Sequence, residues 1–439
     1  MKRLSAPLDV QIELTERCNQ ICKHCYNYWR HLPQQKPNEL QEADFINIIR
    51  QLHQAKVGLI TFSGGEPMLR KDILFNLITE AHLLGIETGL NSNGALVGKE
   101  DAKRLARCGL EHTLISILGP KELHNSIAGV GGDFVSAIRG ISFLIDFGIP
   151  VAVNMPVSKL NIHSMRTTAE LVKNLGVKSF CAGPIIPSSR SSIPLCLSGD
   201  ECKKCLKELI KIGAELSLTI DVLEPIARCL FNETDELEFV RFFGNRICSA
   251  AVSSCAISSA GNIRPCIHSD VSFGSVLPDE FLDVWQKMVY WASPSILPDK
   301  CHKCNALMVC EGGCRMSAKI TSGDYNDQDM YMTEPISDPK RAVIISSDDN
   351  EILLQNEELL TFNKRCIFRK EEVGYVAYIN GRVECLTSKG FDFVSIIRQL
   401  EEFSCRLIAQ KTEYSEDTIA PILKRLIRAM IINRKERDK

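Results

Sequence analysis

Residues 10–26 read VQIELTERCNQICKHCY, and the fold turns on what such a stretch requires. Its first five residues, Val10 to Leu14, are β-favouring and read as a strand. Directly behind them stand Cys18, Cys22 and Cys25, in a Cys-x3-Cys-x2-Cys spacing. Three thiolates so close in sequence can wrap one face of a 4Fe-4S cubane while the fourth iron keeps no protein ligand and stays open to substrate. A structural zinc site is the competing reading, with His24 as the obvious fourth ligand, because structural zinc takes four.

Outward from that strand, short β-rich runs alternate with helical patterns as far as about residue 230. VGLITF (57–62), IETGL (86–90), HTLISI (112–117), VAVNM (151–155) and VKSFCAG (177–183) read as further strands. Between them lie amphipathic segments such as Phe45, Ile48, Ile49 and Leu52, whose spacing puts one apolar stripe on a helix. Six β/α repeats predict a parallel sheet with helices outside, either doubly wound and open or a partial barrel. Chemistry in such folds gathers at the C-terminal ends of strands.

A chain of 439 residues is too long for one compact domain and suits two or three. No apolar run reaches the ~18 residues of a membrane helix, so no membrane partner is expected. The N-terminus MKRLSAPLDVQIEL turns polar at once and lacks the apolar segment of a secretory signal, which predicts a cytoplasmic protein. A formal charge of −2 gives no global attraction to nucleic acid. The 19 cysteines, an odd number without an export signal, argue against a disulfide framework and for reduced thiolates that bind metal or clusters.

With this cysteine spacing behind the first strand and six β/α repeats, the chain resembles the radical SAM superfamily over roughly residues 8–230. Ser63-Gly64-Gly65-Glu66-Pro67, after the second strand, is similar to the family's GGEP element, whose backbone and carboxylate hold the methionine amino group of S-adenosylmethionine. A plain strand-to-helix turn with proline at the helix start is the alternative. Tyr26 matches the aromatic position near the adenine, Ser92 and Asn93 in NSNG the ribose and carboxylate contacts, and Arg190 in GPIIPSSR an arginine for the methionine carboxylate. One departure is ISILGP on the fourth strand, where relatives often carry ISLDG. The resemblance implies a partial (β/α)6 TIM-like barrel, a 4Fe-4S cluster and an electron donor such as flavodoxin or ferredoxin. It also implies reductive cleavage of S-adenosylmethionine to a 5′-deoxyadenosyl radical that takes hydrogen from substrate.

A second cysteine field follows: Cys248-x6-Cys255, then Gly261-x4-Cys266, then Cys301-x2-Cys304-x5-Cys310-x3-Cys314. It resembles the SPASM extension, which houses auxiliary 4Fe-4S clusters; a zinc ribbon on the last four cysteines is the rival. By analogy Cys248, Cys255, Cys266 and Cys314 hold one auxiliary cluster and Cys301, Cys304 and Cys310 a second. The family's final cysteine is missing from SGDYNDQDMYM, leaving an open iron or Asp327 or Asp329 as the favoured readings and Cys366 as a distant one. The remaining cysteines, among them Cys202 and Cys205 in a helical pattern and the scattered Cys229, read as ordinary buried or incidental thiols.

The C-terminal stretch RCIFRKEEVGYVAYINGRVECLTSKGFDFVSII shows three strands, with Asn380-Gly381 as a hairpin signal, followed by helices over 390–402 and 415–431. It resembles the PqqD-like peptide-recognition element, which implies a winged-helix-like α+β module binding a precursor peptide as an added strand. Lys424, Arg425, Arg428, Arg434, Lys435 and Arg437 also allow a nucleic-acid binder or a solvated basic face. The expected domains are a radical SAM core (1–235), a SPASM domain (236–330), an acidic linker (331–360) and the peptide-recognition module (361–439). Together they predict a peptide-modifying radical SAM oxidoreductase that forms thioether or carbon-carbon cross-links in a ribosomal precursor. The alternatives are cofactor or tetrapyrrole synthesis, protein side-chain maturation, and a redox regulator that binds nucleic acid.

Overall fold

β1 (Asp9–Glu13) is the pivot of the sheet. Its Val10 and Ile12 lie in parallel register with Ile60 and Phe62 of β2 (Leu59–Ser63), and none of the four is exposed. Alternate residues of a strand share a face, so these side chains form one surface. They share a core with Phe45, Ile48, Ile49 and Leu52 of α1 (Glu42–Gln54), the stripe expected from its spacing. The other face of β1 carries Gln11 and Glu13, opposite Thr61 and Ser63, so the inner side of the barrel is polar.

The computed structural model describes residues 3–27, 29, 38–231, 235, 242, 246–337 and 354–435. Parallel strands continue as β3 (Glu87–Ser92), β4 (His112–Ser116), β5 (Val151–Asn154), β6 (Ser179–Cys181) and β7 (Thr219–Asp221). The connecting helices are α2 (Lys71–Leu83), α3 (Lys99–Cys108), α4 (Lys121–Ala128), α5 (Phe134–Asp146), α6 (Met165–Asn174) and α7 (Gly199–Leu216). This is a partial TIM-like barrel with all six expected strands. β7 adds a seventh, which the sequence reading missed.

The cysteine-rich region continues the sheet. β8 (Ser254–Ile257) pairs in parallel with β1, and β9 (Ile263–Arg264) pairs antiparallel with β8. The result is one nine-stranded sheet, β7-β6-β5-β4-β3-β2-β1-β8-β9, through which the cysteine-rich domain joins the barrel. The buried Arg264 forms an ion pair with Glu13 and so ties β9 to the inner face of β1.

Residues 338–353 of the expected linker lie outside the described residues. Beyond them β10 (Leu360–Phe362) pairs with β14 (Ile432–Arg434), and β11 (Ile367–Lys370), β12 (Tyr375–Ile379) and β13 (Arg382–Leu386) form an antiparallel sheet. Asn380 and Gly381 turn the β12–β13 hairpin at φ 48° and 70°, the conformation this pair favours. Three helices follow, Ser388–Arg398, Cys405–Lys411 and Glu416–Arg428, one more than expected. Phe393, Ile397, Phe403 and Leu423 belong to a core of the module's own.

The module docks on the end of the barrel where strands begin. Arg369, nearly buried, donates to the carbonyl oxygens of Ala6 (2.6 Å), Pro7 (3.0 Å), Ala55 (3.3 Å) and Lys56 (3.4 Å). Val376 and Tyr378 pack with Leu4 and Leu8, and Arg365 pairs with Glu111 just before β4. Among the described residues no helix is long and apolar enough to cross a membrane.

Candidate metal and cofactor site

Three loops meet at the C-terminal ends of β1, β2 and β3, and main-chain bonds stitch them together. Gly65 N donates to Thr15 O (2.7 Å) and Glu66 N to Arg17 O (2.8 Å), so the GGEP turn lies directly on the segment leading to Cys18. A Cβ on Gly65 would collide with the Arg17 carbonyl. The glycine is therefore demanded by the protein's own backbone, a reason the motif alone did not give.

Glu66 is fully buried and its carboxylate is occupied by the chain. Oε1 accepts from Met68 N (3.0 Å) and Ser92 Oγ (2.8 Å), and Oε2 from Asn93 N (2.9 Å). Burial raises its pKa and these donors oppose the shift. Ser92 and Asn93, expected as direct ligand contacts, here brace Glu66. Asn93 Nδ2 reaches further, to Asn19 Oδ1 (2.8 Å) and Cys18 Sγ (4.0 Å).

Cys18, Cys22 and Cys25 are partly exposed, and none is in a disulfide. Gln20 N points at Cys18 Sγ (3.4 Å), and Ile21 N and Lys23 N are held by Ala128 O (3.1 Å) and Ile127 O (3.0 Å) at the end of α4. Ser188 Oγ holds Cys25 O (2.8 Å), which brings the GPIIPSSR loop over the cysteines; Arg190, two residues on, is exposed. Tyr26 OH meets Ser63 Oγ at 3.3 Å, and its ring lies 5.1 Å from that of His268. Sequence reading missed Asn27, whose Nδ2 donates to Gly64 O (3.1 Å), and the Glu13–Arg264 pair beneath the site. Both depend on partners too distant in sequence to give a local signal.

Among the described residues no three His, Cys, Asp or Glu side chains converge on one point as a single ion requires. A cubane asks something different, since each thiolate binds its own iron. Three accessible thiols on one loop, with N–H donors directed at Cys18, are a donor set that fits such a cluster. His24, the fourth ligand of the zinc reading, is pushed down to about 4 by burial and by His124.

The second field divides into two groups. Cys248, Cys266 and Cys314 lie within charge-coupling range of one another, beside Arg315 and the buried Asp329. Cys255 lies in β8 opposite Val10, with Asp9 and Arg3 as the charged groups that act on it. Strand pairing with β1 fixes it there, which spacing could not reveal. Cys301, Cys304 and Cys310 line a common cavity that also contains Cys229. Asp329 belongs to the first group, its Oδ2 accepting from Cys314 N (3.1 Å), and Asp327 Oδ2 caps Asp324 N (3.0 Å). Cys366 is in the C-terminal module's core.

Residues 12–172 match the family model described as the Radical SAM superfamily, and residues 248–305 match SPASM, an iron-sulfur cluster-binding domain. The chain is 28% identical over 336 residues to an AdoMet-dependent heme synthase of Oleidesulfovibrio alaskensis, covering 73% of this chain and 86% of that protein. It is 24% identical over 338 residues to a PqqA peptide cyclase of Bradyrhizobium diazoefficiens, covering 74% and 85%. Among solved structures, Streptococcus suis SuiB bound to its precursor peptide SuiA superposes with a TM-score of 0.62 at 20% identity, over 75% of this chain and 77% of SuiB, a likeness of fold. The chain thus carries a radical SAM domain and a SPASM domain, which bring with them a 4Fe-4S cluster, S-adenosylmethionine and auxiliary iron-sulfur clusters.

Proposed function

We propose that this radical SAM enzyme is an oxidoreductase that modifies a ribosomally made precursor peptide, forming a thioether or carbon-carbon cross-link. The observation that carries this reading is the edge of β13. Among the described residues this strand pairs, within its sheet, only with β12. Arg382 and Val383 on it are exposed, and the helix Glu416–Arg428 runs alongside, tied by Arg425 to Glu384. An extended peptide added to β13 gains main-chain hydrogen bonds, and the neighbouring helix supplies a wall for its side chains. The PqqA peptide cyclase relative and the SuiB–SuiA complex support the same substrate class.

In this reading Cys18, Cys22 and Cys25 hold the cluster, Asn93 and the Gln20 amide stabilise the Cys18 thiolate, and Glu66 fixes the mutual positions of the three loops. Tyr26, Gly64, Gly65, Ser92, Asn93 and Arg190 form the surroundings of S-adenosylmethionine. The chemistry supplied by the bound, reduced cofactors is homolytic: a 5′-deoxyadenosyl radical able to take hydrogen from substrate carbon. Electrons come from a donor protein such as flavodoxin or ferredoxin. The module sits at the opposite end of the barrel from the cysteine loop, so roughly ten extended residues separate the bound leader from the modified residues.

The heme synthase relative favours a second reading, a tetrapyrrole substrate. A nucleic-acid role draws little from the basic tail, since Arg425, Arg434 and Lys435 are paired with Glu384, Glu358 and Glu402; Arg437 lies outside the described residues. The test is to incubate reduced enzyme with S-adenosylmethionine and the short peptide encoded beside its gene, then weigh the peptide. Loss of two hydrogens is expected, together with loss of product in Val383→Pro, which still forms 5′-deoxyadenosine. Turnover of a porphyrin with the peptide unchanged would transfer the assignment to the second reading. Retention of 5′-deoxyadenosine formation after Cys18, Cys22 and Cys25 are all changed to Ala would overturn both.

A further inference from the structure

We propose that Cys229 is the fourth thiolate of the second auxiliary cluster, completing a set with Cys301, Cys304 and Cys310. The inference rests on the SPASM reading and deepens it: the ligand that the family places after this field comes instead from before it, on the short turn Arg228–Leu230 that follows β7.

The placement is specific. Cys229, Cys301, Cys304 and Cys310 line one cavity, walled by apolar groups such as Ala227, Ala306 and Leu307. The four thiols are near enough to influence one another electrostatically: Cys301 feels Cys310, Cys229 and Cys304, and Cys229 feels Cys310. Three main-chain N–H groups aim at these sulfurs. Arg228 N donates to Cys310 Sγ (3.2 Å), Thr333 N to Cys229 Sγ (3.2 Å) and Ile336 N to Cys304 Sγ (3.3 Å). The peptide next to Cys229 thus already bonds the sulfur of another member of the set. N–H donors to cysteine sulfur favour the thiolate and tune a cluster's potential.

Charge and elimination agree. A cubane with four thiolates is dianionic, and Lys300 lines the cavity while Arg315 acts electrostatically on Cys301. The other candidates are engaged elsewhere. Asp329 accepts from Cys314 N and Tyr331 N, Asp327 accepts from Asp324 N, and Cys366 is buried in the core of the C-terminal module. An iron left open for substrate is not needed when a thiol already faces the cavity.

The test uses the full-length protein, purified and reconstituted without oxygen. Wild type carrying three cubanes holds about twelve irons per chain. Cys229→Ser is expected to lose about one of them and, once oxidised, to show the EPR signal of a three-iron cluster, the outcome also expected for Cys301→Ser. Cys366→Ser and Asp329→Asn are expected to lack that signal. In wild-type holoprotein Cys229 is expected to resist alkylation together with Cys301, Cys304 and Cys310 and to react once iron is chelated, a readout independent of any variant's folding. Full iron with unchanged EPR and midpoint potentials in Cys229→Ser, or equally fast alkylation of Cys229 before and after chelation, would overturn the assignment. Wild type with only about four irons per chain would instead remove the auxiliary clusters altogether, and this ligand with them.

Discussion

A side chain at Gly131 would run into the Asn19 carbonyl, one residue past Cys18, and the glycine stands at φ +84°, where other residues are strained. Gly131→Ala therefore displaces the cysteine loop while leaving the barrel core untouched. Iron is expected to fall by about four per chain, and the unfolding free energy to drop by no more than about 1–3 kcal/mol. Full iron content in the variant would show that the loop tolerates the shift. Glu224, just beyond β7, offers a pH test. Its Oε2 is shielded and finds no hydrogen-bond donor among the described residues, and burial lifts its pKa from 4.5 to about 7, with Asp221 adding to the effect. The folded-state pKa lies above the unfolded one, so the unfolded chain ionises first as pH rises. Stability should fall by roughly 1–3 kcal/mol between pH 4.5 and 7 on this account. Denaturant titrations of Glu224→Gln are expected to lose that part of the slope; an unchanged slope would assign it elsewhere. Neither residue was legible in the sequence, because each matters through a neighbour more than forty positions away or through burial alone. The thiols of Cys18, Cys22 and Cys25 were legible because their chemistry is packed into eight consecutive residues.

At the scale of elements, β1 to β6 were marked by β-favouring runs that alternate with helical patterns, whatever the length of the strand itself. β7, β8 and β9 have three, four and two residues and take their identity from pairing partners. Spacing alone likewise hid that Cys255 sits in a strand, in register with Val10. The docking of β11 is equally invisible in sequence. Arg369 there satisfies four main-chain carbonyls of the barrel, and Glu371 beside it accepts from Ser5 N (2.7 Å). Arg369→Ala should weaken docking by about 2–4 kcal/mol, since it removes charged donors from partly buried acceptors. Calorimetry is expected to resolve a separate module transition in the variant. Peptide modification should fall at least tenfold, with peptide-free 5′-deoxyadenosine formation within twofold of wild type. A single unchanged transition would mean that Val376 and Tyr378 suffice to hold the module.

In the whole molecule, two regions occupy opposite ends of one barrel, the cysteine loop with its neighbours at the strand ends and the C-terminal module at the strand starts. Composition and motif order made this plan legible as a succession of parts, but not the continuity between the first two. Because β8 takes the flank of β1, barrel and cluster domain share main-chain bonds and not merely a surface. A polypeptide ending before residue 246 would bare that flank as a template for strands of other molecules, and it would give fibrous self-association in place of a working half.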